Sequence, residues 1–441
     1  MANVIECGMV TILTLGCRTN QAESDKIGRE LQARGVSVFF KLQENCLGGI
    51  YVINTCAVTG VAERKSRYEV SKIVKHDKDA KIIVAGCASA NNEGQFGALN
   101  GFGKNVMRVF GTDKGGIVEY VMELITGGGK YGNYAISCML YDIHNTSIQI
   151  GRGEEESDCD GVDGVKAGVM TDIGVKTRQV FMNVQNGCDN RCTFCIVSTL
   201  RGKSVSRPIE EVIEEIRELV YDSSSYQVNR NEKVDEEAID NEQKWKNANA
   251  KLVVITGINL SMYDGGNGRG LVDLCLAVNE LGVPFRLSSL YSNVITSAFI
   301  NDLKKCENFV PMFHLSLQSG SDKVLKSMGR RYTTQEFEEV VELLRDAFVL
   351  PVDCTRDDNE KVGMKKFEVT ADIIIGFPTE GDEEFRETLD FVKRVNFDNL
   401  HVFPYSPRKG TVAALWKQIT QSVVKARVEE LRQVQANNRI L

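Results

Sequence analysis

Apolar residues fall along this chain in short continuous runs, each followed by a stretch with helical spacing. MVTILTL (9–15) precedes NQAESDKIGRELQARG, where Ile27 and Leu31 lie four apart on one helix face. GIYVIN (49–54) precedes the basic helical stretch VAERKSRYEVSKIVK, and KIIVAG (81–86) and VMRVFG (106–111) follow. Runs rich in β-branched residues, without polar alternation and separated by helices, predict parallel strands covered on both faces. The fold class is therefore α/β, opening with a small doubly wound domain over residues 8–126.

Residues 127–178 turn Gly-rich and then acidic (GRGEEESDCDGVDG) and read as a linker or surface insertion. From 179 the alternation resumes through VFMNV (180–184), LVVIT (252–256), FRLSS (285–289), MFHLSL (312–317), VTADIII (369–375) and LHVF (400–403). Helical patterns such as PIEEVIEEIRELV and DEEFRETLDFVKRV follow these runs. Six β/α units over 179–415 would close about three-quarters of a barrel, with the site at the C-terminal strand ends. Polar stretches at 221–250 and 353–367 read as exposed loops. Residues 416–441 read as a C-terminal helix.

Composition narrows the chemistry. The chain has 441 residues, 42% apolar and 26% charged, which is ordinary globular usage and excludes an intrinsically disordered chain. With 53 basic and 60 acidic residues the net charge is −7, so an RNA partner would need a local basic patch. No apolar run reaches membrane length and no signal pattern opens the chain, which predicts a cytoplasmic protein. In that compartment 13 cysteines read as metal or cluster ligands sooner than as disulfides.

The sharpest motif is NGCDNRCTFCIVSTLRG, where Cys188, Cys192 and Cys195 form CxxxCxxC directly after the first strand of the second half. Three thiolates on one loop can hold three irons of a cubane and leave the fourth iron open. Zinc is the plainer alternative, but structural zinc wants four protein ligands and this loop offers three. A second set is dispersed: Cys17 in TLGCRTNQAES, Cys56 in VINTCAVT and Cys87 in VAGCAS, each just after an apolar run. In a doubly wound sheet neighbouring strand ends converge on one crevice, so these three can meet in space. Gly16, Gly86 and Ala88 leave room for an inorganic cluster. Three buried structural cysteines are the alternative.

CxxxCxxC after the first strand of a six-unit series resembles the radical S-adenosylmethionine (SAM) superfamily. The words around Cys17, Cys56 and Cys87 resemble the N-terminal domain of its methylthiotransferase family. The likeness continues through SSL (288–290), HLSLQSGSDKVLKSMGRRYT (314–333), DIIIGFPTEGDEEF (372–385) and HVFPYSPRKGT (401–411), covering most of 9–415 apart from the three insertions. TLGCRTNQAES and HVFPYSPRKGT are most similar to the branch acting on threonylcarbamoyladenosine in tRNA.

The resemblance implies two [4Fe-4S] clusters, one on Cys188, Cys192 and Cys195 that binds SAM, and one on Cys17, Cys56 and Cys87. It implies hydrogen abstraction from carbon 2 of the modified adenine beside the anticodon, sulfur insertion there, and methylation by a second SAM. The partner implied is the anticodon stem-loop of tRNA, with no DNA and no membrane; sulfur and electron donors stay open. Isopentenyladenosine, a ribosomal-protein aspartate, or a catalytically silent iron–sulfur RNA-binding protein are the alternatives.

For SAM, Phe194 would contact the adenine, Ser316 and Gln318 the ribose or carboxylate, and Gly376 would allow close backbone approach. Thr256 and Gly257 would lie near the amino group. For the polar residues the plain alternative is a strand-end hydrogen bond. Arg64, Lys65, Arg67, Arg201, Lys203, Arg207, Arg330 and Arg331 could form a phosphate-binding surface, or be solvated charges. Cys7, Cys46, Cys138, Cys159, Cys275, Cys306 and Cys354 are expected not to be ligands, and His314 and His401 carry no assigned role. Three departures from the family stand out, one being the insertions at 127–178, 221–250 and 353–367, which carry no assigned role. The C-terminal β-barrel RNA-binding (TRAM-like) region is expected to be absent, since the chain stops at NNRIL, and Tyr291 stands where an acidic residue is usual.

Overall fold

The structure, a computed structural model, describes residues 9–42, 49–91, 96, 104–126, 179–221, 252–348 and 367–438. The stretches 127–178, 221–250 and 353–367 lie outside it but for the edge residues Tyr221 and Phe367, as do Cys7, Cys46, Cys138, Cys159 and Cys354.

The N-terminal sheet is built from β1 (Met9–Thr14), β2 (Ser37–Phe39), β3 (Ile50–Thr55), β4 (Lys81–Gly86) and β5 (Val106–Val109). Their order is β2-β1-β3-β4-β5, with every pair parallel. Helices α1 (Arg18–Ala33), α2 (Gly60–His76), α3 (Cys87–Asn91) and α4 (Ile117–Thr126) connect them. The pleat explains the unbroken apolar runs: Ile50 and Val52 join one core with Leu31 and Val121, while Tyr51 and Ile53 join another with Val70 and Ile73. The strand order reverses between β1 and β3, and a doubly wound sheet opens its crevice at such a point.

The second half begins with β6 (Gln179–Asn186), followed by α5 (Val197–Arg201), β7 (Val205–Ser206) and α6 (Ile209–Tyr221). Next come β8 (Leu252–Gly257), α7 (Leu271–Glu280), β9 (Phe285–Leu287) and α8 (Ser297–Leu303). The series ends with β10 (Met312–Gln318), α9 (Asp322–Met328), α10 (Thr334–Phe348), β11 (Glu368–Ile375), α11 (Asp382–Val395), β12 (Asn399–Pro404) and α12 (Gln421–Asn438). Strands β6, β8 and β9 form one parallel ladder and β10, β11 and β12 another. Parallel bridges Phe285–Phe309 and Leu290–Leu315 join the two, and among the described residues no ladder joins β12 back to β6. The result is the expected six-stranded open barrel. Two short strands, β2 and β7, were not legible as apolar runs.

The two halves are fastened by buried polar bonds. α1 runs against β6 and β8. Arg201 donates to Glu23 (2.7 and 3.2 Å) and to Asn20 (2.8 Å), and Lys114 also pairs with Glu23. At the other end Arg408 pairs with the buried Glu63, and the Gly60 amide donates to Ser406 Oγ (2.8 Å).

Candidate functional site: two cysteine triads on a shared cavity

Cys17 follows β1 as the N-cap of α1, Cys56 follows β3, and Cys87 opens α3 directly after β4. Three adjacent strand ends therefore deliver three thiols to the crevice. Side-chain amides lock the loops that carry them: Asn20 Nδ2 donates to the carbonyls of Leu15 (2.8 Å) and Thr55 (3.0 Å), and Asn54 Nδ2 to that of Asn20 (2.9 Å). Thr55 Oγ1 donates to the Ala85 carbonyl (2.6 Å). Gly16 sits at φ +97°, and a Cβ there would meet Cys56 Sγ at 2.5 Å, so only glycine lets the first and second loops close up. Burial pushes the Cys56 thiol up to about 12, and the nearby Cys17 and Cys87 sulfurs add to this.

Cys188, Cys192 and Cys195 lie on the loop after β6. Gly187 at φ +71° lets the loop start against the Lys203 carbonyl, and the Cys188 amide donates to Gly202 O (3.0 Å). Thr193 ties the loop to α9 through Ser327 O (2.8 Å) and Met328 O (3.0 Å). Burial pushes Cys195 up to about 11, with Cys192 and Cys188 adding. Asn259 Nδ2 donates to Cys188 Sγ (3.6 Å) and Arg330 Nη1 to Cys192 Sγ (3.5 Å).

The spacing of the thiols bears on whether they suit one ion. Sulfurs on a single tetrahedral zinc would lie within about 4 Å of one another, given bonds of about 2.3 Å. Among the described residues, only His314, Asp372 and His401 bring three ligand atoms within 4.8 Å of one another, so neither cysteine triad is that tight. Three thiols spread more widely than one ion allows are the donor set a cubane uses, where each sulfur holds its own iron.

A cavity of about 310 Å³ is lined by Cys17 from the N-terminal triad and Cys195 from the barrel triad. Phe194 and Gln318 line it too, with Asp372 and Val58, Ile374 and Phe403 among its walls. Two of the SAM-contact residues expected from sequence, Phe194 and Gln318, are thus brought to this cavity. Ser316, Thr256, Gly257 and Gly376 sit at strand ends but not in its lining. Gly376, at φ +83°, has Val424 of α12 packed where its side chain would be. That packing and the backbone angle already require a glycine here.

The basic residues divide sharply. Arg201 and Arg330, read from sequence as possible phosphate contacts, are not on the surface. The Arg201 side chain is 1% exposed, and besides Glu23 it donates to Asn186 Oδ1 (2.7 Å) and Cys87 Sγ (3.3 Å). Arg330 is buried over the Tyr291 ring (4.1 Å) and donates to the Tyr291 hydroxyl (2.7 Å) and Ser316 O (2.6 Å). Tyr291 thus supplies a hydroxyl acceptor where an acidic residue was expected. Arg207 pairs with Glu215 (2.7 Å) and Arg67 with Glu63 (3.5 Å), whereas Arg64, Lys65, Lys203 and Arg331 are exposed. Cys275 and Cys306 are buried in the apolar core, away from both triads.

Sequence reasoning missed the polar row inside the barrel. Along β11, Val369, Ala371 and Ile373 join the apolar core, while Thr370, Asp372 and Ile374 alternate to the other face, where Asp372 and Ile374 meet the cavity. His314 Nε2 lies 3.1 Å from Asp372 Oδ2 and His401 Nδ1 lies 3.3 Å from Oδ1, with the two imidazoles 5.0 Å apart. Burial alone would raise the Asp372 carboxyl, but the two histidines outweigh it and hold the group well below the usual carboxylate range. The available signal was three polar residues, each interrupting an apolar strand.

An open α/β barrel with three cysteines on the loop after its first strand defines a radical SAM enzyme, which binds SAM and a [4Fe-4S] cluster. The model described as Radical SAM superfamily matches residues 182–229 and 221–392, and that described as Uncharacterized protein family UPF0004 matches residues 9–107. The chain is 30% identical over 429 residues to the threonylcarbamoyladenosine tRNA methylthiotransferase MtaB of Thermotoga maritima, covering 96% of this chain and 81% of that protein. It is 27% identical to the tRNA-2-methylthio-N(6)-dimethylallyladenosine synthase of Pelagibacter ubique, covering 98% and 83%. The solved cobalamin-dependent SAM radical enzyme OxsB has a TM-score of 0.50 at 10% identity over 98% of this chain, which spans 56% of that structure's length; it shows the fold alone. The chain belongs to the radical SAM methylthiotransferase family. No helix among the described residues is long and apolar enough to cross a membrane.

Proposed function

We propose that this enzyme installs a methylthio group on carbon 2 of threonylcarbamoyladenosine beside the anticodon of tRNA. The observation that carries the reading is the cavity lined by one cysteine from each triad. A base held there has a barrel cysteine at one edge and an N-terminal cysteine at another, the arrangement that radical activation followed by sulfur insertion requires. Cys188, Cys192 and Cys195 would hold the SAM-binding cluster, and Cys17, Cys56 and Cys87 a second [4Fe-4S] cluster. Together with SAM these groups would supply the radical chemistry and the place of sulfur transfer.

The chain's own residues supply position and dryness. Phe194 offers an aromatic face for an adenine and Gln318 an amide for hydrogen bonding. Val58, Ile374 and Phe403 present apolar wall that excludes water. Ser316, Thr256, Gly257 and Gly376 remain candidates for SAM contacts by their place at the strand ends. For the nucleic acid, α2 starts at the cavity rim and exposes Arg64, Lys65 and Tyr68. Two cations for phosphates and an aromatic ring for a base suit the end of a stem-loop. Lys203 and Arg331 add exposed charge.

The test is mass spectrometry of digested tRNA from a strain lacking the protein. The 2-methylthio-threonylcarbamoyl nucleoside should vanish and return on complementation with wild type but not with Cys17→Ala. An unchanged level of that nucleoside overturns the reading, and loss of the isopentenyl product instead reassigns the substrate.

A further inference from the structure

The residue after Cys17 is a cation with little to balance it. Arg18 leaves the N-terminal domain at the start of α1 and reaches the barrel, where its Nη1 donates to Ser288 Oγ just beyond β9. Among the described residues no carboxylate lies at ion-pair distance from it. Asp372 is the carboxylate that acts on it electrostatically, but both Asp372 oxygens are already engaged by His314 and His401. Arg286 stands two residues before Ser288, on the same face of the strand by the pleat. It is 4% exposed, donates to Gln179 Oε1 (3.3 Å), and leaves its Nε with no partner. Arg18 acts on Arg286 electrostatically, and Glu368 offsets part of this repulsion without reaching ion-pair distance. A half-buried and a buried guanidinium with no carboxylate at ion-pair distance are costly to hold, and an anion brought by a ligand would offset that cost.

The proposed substrate carries such an anion. The threonyl group on N6 ends in a free carboxylate, whereas an isopentenyl group is apolar throughout. We propose that Arg18, at the barrel mouth beside the His314–Asp372–His401 cluster, binds the carboxylate of the threonylcarbamoyl group and so selects an anionic N6 substituent over an apolar one. This inference rests on the reading given under Proposed function. The planar guanidinium suits a bidentate carboxylate, and Ser288 fixes the rotamer. Engagement of both Asp372 oxygens leaves the guanidinium for the ligand. Because Arg18 neighbours Cys17, the substituent would dock close to the N-terminal triad.

Binding without turnover tests it. Anticodon stem-loops carrying threonylcarbamoyladenosine, its methyl ester or plain adenosine are titrated, without reductant, against the reconstituted wild type and against Arg18→Met. Wild type should bind the free acid roughly tenfold to a hundredfold more tightly than the ester, the range expected for a hydrogen bond to a charged group. Arg18→Met should erase that gap while iron content and ester affinity stay close to wild type. The acid–ester comparison on wild type needs no substitution, so a misfolded variant does not spoil the test. Equal binding of acid and ester by wild type, with methylthio product still formed under reducing turnover, overturns this inference alone. Absence of that product from the free-acid stem-loop overturns the function on which it rests as well.

Discussion

The two triads reach similar ends by opposite routes. The barrel triad occupies one loop, residues 188–195, fastened to β6 through Gly187 and to α9 through Thr193. The N-terminal triad gathers residues 17, 56 and 87 from three strand ends, and its geometry exists only once the β1, β3 and β4 ladder has formed. Each triad nonetheless receives a buried arginine on one sulfur: Arg330 on Cys192 and Arg201 on Cys87. Arg330 belongs to the same barrel as its cysteine. Arg201 crosses from the barrel to the N-terminal domain, so the second site is complete only when the halves are docked. The local triad is held by its loop, while the dispersed one depends on the fold and on the interface.

The largest expected effect separates the two sites by chemistry. Replacing Cys17, Cys56 and Cys87 with alanine should abolish methylthio product yet leave reductive SAM cleavage, measured as 5′-deoxyadenosine. Replacing Cys188, Cys192 and Cys195 should abolish both. Loss of 5′-deoxyadenosine in the first variant would break the comparison, because the sites would not be independent.

The interface comes next. Arg201→Met leaves Glu23 buried with Lys114 as its remaining ion-pair partner, and stability should fall by about 3–5 kcal/mol in urea titration. Arg201→Met combined with Glu23→Leu and Lys114→Met should cost clearly less, since no uncompensated charge remains. Equal losses would show that packing, not charge, fastens the halves.

A smaller effect sharpens the parallel between the arginines. Donation to a ligand sulfur favours the reduced, more negative cluster, so Arg330→Met should lower the reduction potential of the SAM cluster alone. Arg201→Met should lower that of the N-terminal cluster alone. Redox titration followed by electron paramagnetic resonance distinguishes them, and movement of both potentials in either variant would contradict the assignment.

Legibility followed the range of the interactions. Ten of the twelve described strands were readable because they lie within continuous apolar runs, as parallel strands covered by helices do, and even the three-residue β9 sits inside FRLSS. β2 and β7 were not, because both are short and neither has a fully buried residue to mark it. CxxxCxxC was readable because its ligands are sequence neighbours. For Cys17, Cys56 and Cys87 the strand-end positions allowed a meeting and the words around them favoured it, since the meeting itself depends on strand order. The burial of Arg201 and Arg330 had no local signal: an arginine in a loop looks the same whether it faces a phosphate or a thiol. The His314–Asp372–His401 cluster depends on cross-strand register, with His401 opposite Asp372, which periodicity within a strand does not report.

The most direct test of the two-site account is the iron and sulfide content of the anaerobically reconstituted protein, taken beside the two triple-alanine variants. Wild type should hold about eight irons and eight sulfides per chain, and each variant about four, because each cubane carries four of each. About four irons in both wild type and the Cys17/Cys56/Cys87 variant would mean that the strand-end cysteines hold no cluster, contradicting the account at its centre.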